Sequence, residues 1–464
     1  MTYSRGIQHS TGYISFVSAV AAVGGLLFGY DTAVISGAIG FLRAYFGLSA
    51  AEMGWAASSA LLGCVLGASG AGVASDAFGR KKMLFLSAIF FAVSSVWSAL
   101  PGNFTQFAIA RVIGGVGVGI TSMISPMYIA EIAPARIRGR LVTYNQFAIV
   151  TGILLVYFVN YYIARVGGED WNVHSGWRWM FASEALPAVF FLVLLSVIPE
   201  SPRWLVRQGR EDEARTVLHR MRSGDNIEDE VNAIKQTLSA GTVTMRELFH
   251  PTWRGVVLLG MALAVLQQVT GINVFMYYAP EIFKQLGSGV DSALLQTVVI
   301  GAVNLLFTIL ALYTIDRVGR KTLLVFGAAG MGLSLSALGW AAAAKSVDLW
   351  ALTFVLGYIA CFAASLGPVV WVVLAEMFPT RLRGRAMAVA TFCIWLANFL
   401  VSQTFPIINE NVWLVRTFGG GFPFWLYAFF CGVTVVVTLR YVPETKEKTL
   451  EQIEQMWKSR RVEG

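Results

Sequence analysis

The chain has 464 residues, 56% hydrophobic and only 13% charged, with 46 glycines and a formal net charge of +8. That composition excludes an ordinary soluble globular protein, whose single core could not bury so much apolar surface. The basic excess invites a nucleic-acid reading, but its distribution along the chain gives it another meaning.

Apolar runs of about 20 residues recur along the chain, close to the length of helix that crosses a hydrocarbon core roughly 30 Å thick. They predict twelve spans, at 13–41, 53–75, 83–100, 106–129, 141–164, 178–198, 254–280, 293–315, 322–343, 349–374, 386–407 and 422–440. Counted from an inside amino terminus, with Arg178, Arg254 and Arg440 at span ends assigned to the segments they adjoin, 28 of the 35 Lys and Arg fall on one side and 6 on the other, with Arg111 inside a span. Cytoplasmic segments of membrane proteins carry such an excess. Both termini are therefore expected in the cytoplasm of a multi-pass cell-membrane protein, and the basic residues need no nucleic-acid partner. The polar amino terminus leads into the first span without a small-residue cleavage site, so no removable signal peptide is expected. Cys64, Cys361, Cys393 and Cys431 fall in separate spans without disulfide or metal spacing and read as small core residues. Asn103-Phe104-Thr105 fits a glycosylation acceptor, but its very short outer loop makes it a chance match.

Three motifs occur twice. Asp76-Ala77-Phe78-Gly79-Arg80-Lys81 returns as Asp316-Arg317-Val318-Gly319-Arg320-Lys321, 240 positions later. The run 130–140 returns at 375–385, and Val197-Ile198-Pro199-Glu200-Ser201 echoes Tyr441-Val442-Pro443-Glu444-Thr445. One near-constant offset indicates two six-helix halves in parallel arrangement, over 1–199 and 251–441. Residues 200–250 have the pattern of short cytoplasmic helices linking the halves, and 442–464 form a cytoplasmic tail. The expected fold is thus an all-α membrane protein of twelve transmembrane helices in two six-helix halves.

The motifs place acids and arginines at the cytoplasmic helix ends: Asp76, Arg80, Glu131, Arg138, Glu200 and Arg203 in one half, Asp316, Arg320, Glu376, Arg383 and Glu444 in the other. They could be anchors with solvated counter-ions. Anchoring, however, requires no repeated Asp, Gly or Glu at fixed spacing, which favours ion pairs between the halves that hold the cytoplasmic side shut. Gly79 and Gly319 would permit tight turns there.

Charges within spans are costly and usually functional. Asp31, Arg111 and Glu184 lie within spans, whereas His9, His174, His219 and His250 do not, so a proton relay would have to use carboxylates. Apolar surroundings favour a protonated carboxyl and a nearby arginine the ionised form. Separating Asp31 from Arg111 could then load or release a proton; the alternative is a static pair that keeps the helices in register. The glycines of Gly24-Gly25-Leu26-Leu27-Phe28-Gly29-Tyr30-Asp31 would let that helix bend or a neighbour approach.

A neutral polyol needs amides around its rim and an aromatic face. Gln267, Gln268 and Asn273, followed by Tyr277, offer these in the seventh span. In a straight helix Gln268 and Asn273 would point about 140° apart. They converge only if the helix unwinds, and Thr270-Gly271 is the expected place, with a second break expected at Gly367-Pro368 before Trp371. Gln146, Asn304 and Trp395 could complete a site, although any one buried amide could simply bond across helices.

These motifs together resemble the sugar porter family of the major facilitator superfamily over essentially the whole chain. Gly-Arg-Lys at 79–81 and 319–321, Pro199-Glu200-Ser201-Pro202-Arg203, Gln267-Gln268 with Gly271-Ile272-Asn273, and Pro443-Glu444-Thr445-Lys446 carry the resemblance. Asn145-Gln146-Phe147, Met180-Phe181-Ala182-Ser183-Glu184 and Trp395-Leu396-Ala397-Asn398 are most like its bacterial xylose–proton symporter branch. The resemblance implies proton coupling at Asp31 with Arg111 and Glu184 as partners. It implies sugar contacts from Phe28, Gln146, Gln267, Gln268, Asn273, Tyr277, Asn304, Trp371 and Trp395. Ile153 and Ile394 depart from that branch, which has Gln at both; glucose facilitators have Ile at the first and Asn at the second.

The expected function is proton-coupled symport of a neutral monosaccharide, hexose or pentose, by one bacterial chain working as a monomer in the bilayer. A facilitative uniporter and an inositol-type cyclitol symporter are the alternatives. A sugar sensor would need a longer cytoplasmic tail. Without a nucleophile–base pair, metal cluster or phosphate loop, no enzyme, metal or cofactor is expected.

Overall fold

A computed structural model describes residues 2–134, 137–221, 227–239, 245–344, 349–379 and 382–446, together with Gln452 and Trp457. The described residues are helical and contain no strand. Among the described residues, twelve helices are long and apolar enough to cross a membrane: Gly12–Phe46, Ala50–Phe78, Arg80–Ala99, Phe104–Ile132, Arg138–Ala164, Glu169–Val197, Arg254–Gln285, Val290–Val318, Arg320–Ala343, Trp350–Met377, Arg383–Asn409 and Phe422–Tyr441. They are spans 1 to 12 below. Large apolar side chains such as Leu186, Phe326, Leu333 and Trp340 are exposed, as a hydrocarbon-facing surface requires and a water-facing one does not.

Two spans differ from their sequence reading. Span 6 begins at Glu169, earlier than the expected 178, because a π-helical turn at Asn172–Gly176 extends it. The Asn172 amide donates to the Ala164 carbonyl at 2.8 Å and folds this segment back on the end of span 5. Span 10 breaks at Ser365 (φ −137°, ψ −92°), before the expected Gly367-Pro368. Pro368 then falls in the first turn of Leu366–Met377, where a missing N–H leaves no helical bond unmade.

The chain forms two compact units, Met1–Thr32 with Gly63–Ile153 and Phe181–Thr242, and Ala33–Leu62 with Leu154–Met180 and Val243–Gly464. Spans 1, 2, 5 and 6 each contribute to both units. In the first unit, close approach of backbones replaces side-chain packing. A Cβ on Gly29 would collide with the Ile149 carbonyl, and one on Gly152 with the Leu26 carbonyl, so spans 1 and 5 touch through glycine. Span 1 stays one unbroken helix, so its glycines serve approach rather than bending.

The linker carries short helices at Pro202–Arg207, Glu211–Met221, Ile227–Ser239 and Met245–Leu248. Trp204, Leu205, Leu218, Ile227 and Val231 give the first three a small core of their own. Trp204 Nε1 donates to the Asp76 carbonyl at 3.0 Å, which ties that core to the end of span 2. Residues 447–451, 453–456 and 458–464, and with them the tail helix expected from Thr449, lie outside the described residues.

Candidate functional site

In the first unit, Asp31 and Arg111 are fully buried and joined. Arg111 Nη1 donates to Asp31 Oδ1 at 2.6 Å, and Nη2 to the Asp31 backbone carbonyl at 2.8 Å. The guanidinium also lies 5.4 Å from the centroid of the Phe181 ring, a cation–π distance. Glu184, fully buried, faces the pair. Arg111 Nε has no hydrogen-bond partner among the described residues, and the Glu184 carboxyl lies in side-chain hydrogen-bond contact with that of Asp31. Two carboxyls and one guanidinium in a dry interior leave an excess negative charge unless one carboxyl holds a proton. Tyr30 and Ser183, neighbours of Asp31 and Glu184, share a 2.7 Å hydrogen bond that fixes span 1 to span 6 beside the acids. Phe28 and Gln146, also of this unit, are half-buried.

The second unit holds the amide cluster. Span 7 ends its first helix at Val269 and restarts at Ile272, with Gly271 left-handed at φ 88°. Unwinding brings Asn273 back onto Gln268: its Nδ2 donates to Gln268 Oε1 at 2.6 Å. Gln268 Nε2 donates to Gln267 Oε1 at 3.2 Å, and Gln267 Nε2 to the Leu366 carbonyl at 2.8 Å. A chain of amides thus runs from the break in span 7 to the break in span 10, where it meets the Leu366 carbonyl in the first turn of the restarted helix. Tyr358 OH completes the span 7 break by donating to the Thr270 carbonyl at 2.9 Å. Tyr277, Asn304 and Trp395 are buried and Trp371 half-buried. Asn398, which sequence reasoning left out of the site, donates to Tyr277 OH at 3.3 Å and fixes that ring.

The charges expected at the cytoplasmic helix ends form two near-copies of one network. Arg80 reaches Glu131 at 3.0 Å and Asp76 at 3.1 Å, and Glu200 accepts from the backbone N–H groups of Arg80, Lys81 and Ser201. Arg320 reaches Glu376 at 2.9 Å and Asp316 at 2.8 Å, and Glu444 accepts from those of Arg320, Lys321, Thr445 and Lys446. Gly79 (φ 101°) and Gly319 (φ 97°) turn the chain so that these N–H groups face the carboxylates, and a Cβ at Gly79 would collide with Glu200 Oε2. The expectation of ion pairs between halves is thus corrected: Arg80 and Arg320 are satisfied within their own repeats, because each glycine turn delivers the arginine to the acids of its own neighbouring helix. Arg138 and Arg203 are exposed, and Arg383 Nη2 donates to the Phe378 carbonyl at 3.4 Å.

The paired capping glutamates differ in titration. Burial pushes the Glu200 carboxyl up against the opposing N–H donors and the Arg80 charge, whereas at Glu444 burial acts upward but the N–H donors prevail and hold it below the usual range. Glu444 therefore contributes stability above the usual carboxylate range, lost as pH falls through its folded pKa. For Glu200 the sign is reversed, and stability is gained as it protonates. At pH 7 Glu444→Gln is expected to lower Tm by a few degrees and Glu200→Gln by less, with the gap closing as pH falls; thermal unfolding in detergent at pH 7 and pH 5 checks this.

One cluster escaped the sequence reading. Arg43, at the end of span 1, makes a two-pronged ion pair with Glu410, just past span 11, one prong being Nη2 to Oε2 at 2.8 Å. Close by in this unit, Ser58 Oγ donates to Gln403 Oε1 at 2.6 Å, and Gln403 Nε2 to the Ala51 carbonyl at 3.0 Å. Tyr157 OH donates to the Met276 carbonyl at 2.7 Å, tying span 5 to span 7. The Arg43–Glu410 partners lie 367 positions apart, and only the scarcity of charges at these helix ends hinted at them.

The chain matches the family model described as "Sugar (and other) transporter" over residues 17–457. It is 45% identical to the D-xylose-proton symporter of Escherichia coli K12 over 97% of each chain. It is 39% identical to the arabinose-proton symporter of Bacillus subtilis, over 97% of this chain and 96% of that one. Against the glucose facilitated diffusion protein of Zymomonas mobilis the identity is 40%, over 98% and 99%. An inward-open structure of the E. coli xylose transporter XylE superposes with a TM-score of 0.85 at 43% identity, covering 96% of this chain and all of that one. The major facilitator superfamily proton:xylose symporter XylE bound to 6-bromo-6-deoxy-D-glucose gives 0.82 at 45%, covering 97% and 100%.

Proposed function

The chain belongs to the sugar transporter family, within the major facilitator superfamily, and on that premise we propose that it moves a neutral monosaccharide, hexose or pentose, together with a proton by alternating access. The observation that carries the coupling is the buried group of Asp31, Arg111 and Glu184, two acids in contact that share one base. A facilitator needs no such group, and two of the relatives reported above are named as proton symporters.

In this reading, Asp31 takes the proton when helix movement draws it from Arg111. The amide chain of Gln267, Gln268 and Asn273, with Tyr277, Asn304, Trp371 and Trp395, binds the sugar hydroxyls and ring face. Deforming either broken helix moves those amides, because Gln267 is bonded to the span 10 break. The Lys and Arg asymmetry supports cytoplasmic termini in an inner membrane, and a single chain supplies every group named, as a working monomer requires. The two cytoplasmic networks keep the helix ends of each repeat together, so that each moves as a piece.

Uptake of labelled xylose, glucose, galactose and inositol into proteoliposomes, with and without an inward proton gradient, tests the proposal. A monosaccharide should concentrate only with the gradient. Equal, non-concentrative entry under both conditions would favour a facilitator.

Closure at the other face rests, in this reading, on Arg43 and Glu410. A half-exposed pair of this kind contributes up to about 1 kcal/mol, so Arg43→Ala should raise the population open at that face by up to about fivefold. Labelling by an impermeant maleimide of a cysteine in place of Ser58, which is buried against Gln403 of span 11, reports it, and the exchange of charges, Arg43→Glu with Glu410→Arg, should restore the parental rate.

A further inference from the structure

Span 3 buries four serines, at 87, 94, 95 and 98. A serine in an apolar helix ordinarily bonds back to a carbonyl of the preceding turn. Ser87 does so to Leu84 at 2.7 Å and Ser95 to Ala92 at 3.0 Å. Ser94 and Ser98 do not: neither hydroxyl has a partner among the described residues, although both residues are fully buried. Four positions apart, the two share one face of the helix.

That face leads to the acid. A Cβ on Gly114 of span 4 would collide with Ser94 Oγ and lie 3.0 Å from Asp31 Oδ1. Ser94 Oγ and Asp31 Oδ1 therefore both border Gly114, close enough to each other for a single water to bridge them. On the acid side, Arg111 Nε is also unpartnered. The titratable groups facing Asp31 are Arg111 from span 4, Glu184 from span 6 and the Cys64 thiol from span 2. Span 3 brings hydroxyls alone. Ser98 stands one residue before the end of the helix at Ala99, the end remote from Arg80.

We propose that Ser98 and Ser94, with water between them, carry the proton on its last steps to Asp31 from the face of the membrane opposite the Arg80 network. The proposal rests on the symport reading above and names the route by which that site loads. Each hydroxyl accepts a proton from the water on its outer side as it gives its own to the next acceptor, so it begins and ends neutral, and Asp31 gains the proton. Two unpaired hydroxyls in a dry interior are unfavourable unless water completes them, which is the partner this geometry admits.

The test uses the full-length protein in proteoliposomes, with labelled xylose and glucose as probes. Proton-driven accumulation is measured across external pH, beside equilibrium exchange, which needs no net proton movement. Ser94→Ala should slow accumulation about tenfold and Ser98→Ala severalfold, both with exchange unchanged, while Ser95→Ala, whose hydroxyl is bonded within its own helix, should match the parent in both. Accumulation by Ser94→Ala at the parental rate would overturn the route. So would an equal fall of accumulation and exchange, which marks a packing role. Asp31→Asn run in parallel separates the two levels. If it accumulates sugar normally, the coupling assignment falls and the route with it; if it fails while Ser94→Ala is normal, only the route falls.

Discussion

Asp31→Asn is expected to abolish accumulation of sugar against a gradient while leaving binding and exchange largely intact. The amide keeps the size of the carboxyl and still offers an oxygen to Arg111 Nη1. The second guanidinium bond is made to the Asp31 backbone carbonyl and does not depend on the side chain. Arg111 therefore stays in place, and Glu184 remains to balance its charge in the interior. What the variant lacks is a group that can cycle a proton in step with the helices. Under an inward proton gradient the internal to external sugar ratio should fall to about one, with exchange within about twofold of the parent. A variant that still concentrates sugar when only the proton gradient drives it would remove Asp31 as the coupling acid. Arg111→Ala should behave differently, because it leaves two carboxyls buried without a base. Breaking a buried pair in that way costs about 3–5 kcal/mol, and loss of folded protein on size exclusion is the expected sign.

Much of this architecture is legible in the sequence because its causes are local or repeated. Lengths of apolar run and the Lys and Arg asymmetry give the spans, and the near-constant spacing of the motifs gives the repeat. The break at Gly271 is readable because only an unwound helix lets Gln268 and Asn273 converge. Pro368, by contrast, misplaces the span 10 break by two to three residues, since proline marks the first turn of the new helix rather than the end of the old one. Charge spacing alone does not tell whether Arg80 pairs within its repeat or across to the other. The answer lies in the φ 101° turn at Gly79, which is conformational. Arg43 and Glu410 are invisible for a related reason: each is an isolated charge at a helix end, and only the packing of spans 1 and 11 brings them together. Asp31, Arg111 and Glu184 were conspicuous because a charge in a span is costly wherever it sits. The unpaired hydroxyls of Ser94 and Ser98 were not, because serine in an apolar helix is ordinarily self-satisfied.

Gln268→Ala should weaken sugar binding by at least about 1–2 kcal/mol, roughly a five- to thirtyfold rise in Kd. Gln268 is the middle member of the amide chain, accepting from Asn273 at 2.6 Å and donating to Gln267 Oε1 at 3.2 Å. On the proposed reading truncation removes one contact to a sugar hydroxyl, and it also releases Asn273, while Gln267 stays bonded to the Leu366 carbonyl. A hydroxyl left unpaired in a closed pocket cannot recover its bond from water, so the loss falls on every sugar that presents it. Gln267→Ala should also loosen the tie between spans 7 and 10, because Gln267 Nε2 is a side-chain donor to the Leu366 carbonyl. Ile394→Gln works in the opposite direction: it restores a polar contact where this chain has an apolar side chain, and should shift the ranking of sugars toward pentose. Ile153→Gln should act the same way, and the two effects need not add, since both compete for one small ligand. Dissociation constants for xylose, glucose, galactose and inositol across the parent and these variants distinguish the cases. If Gln268→Ala binds every sugar as tightly as the parent, span 7 does not line the site, and the assignment of Gln267, Asn273 and Tyr277 as sugar contacts fails with it.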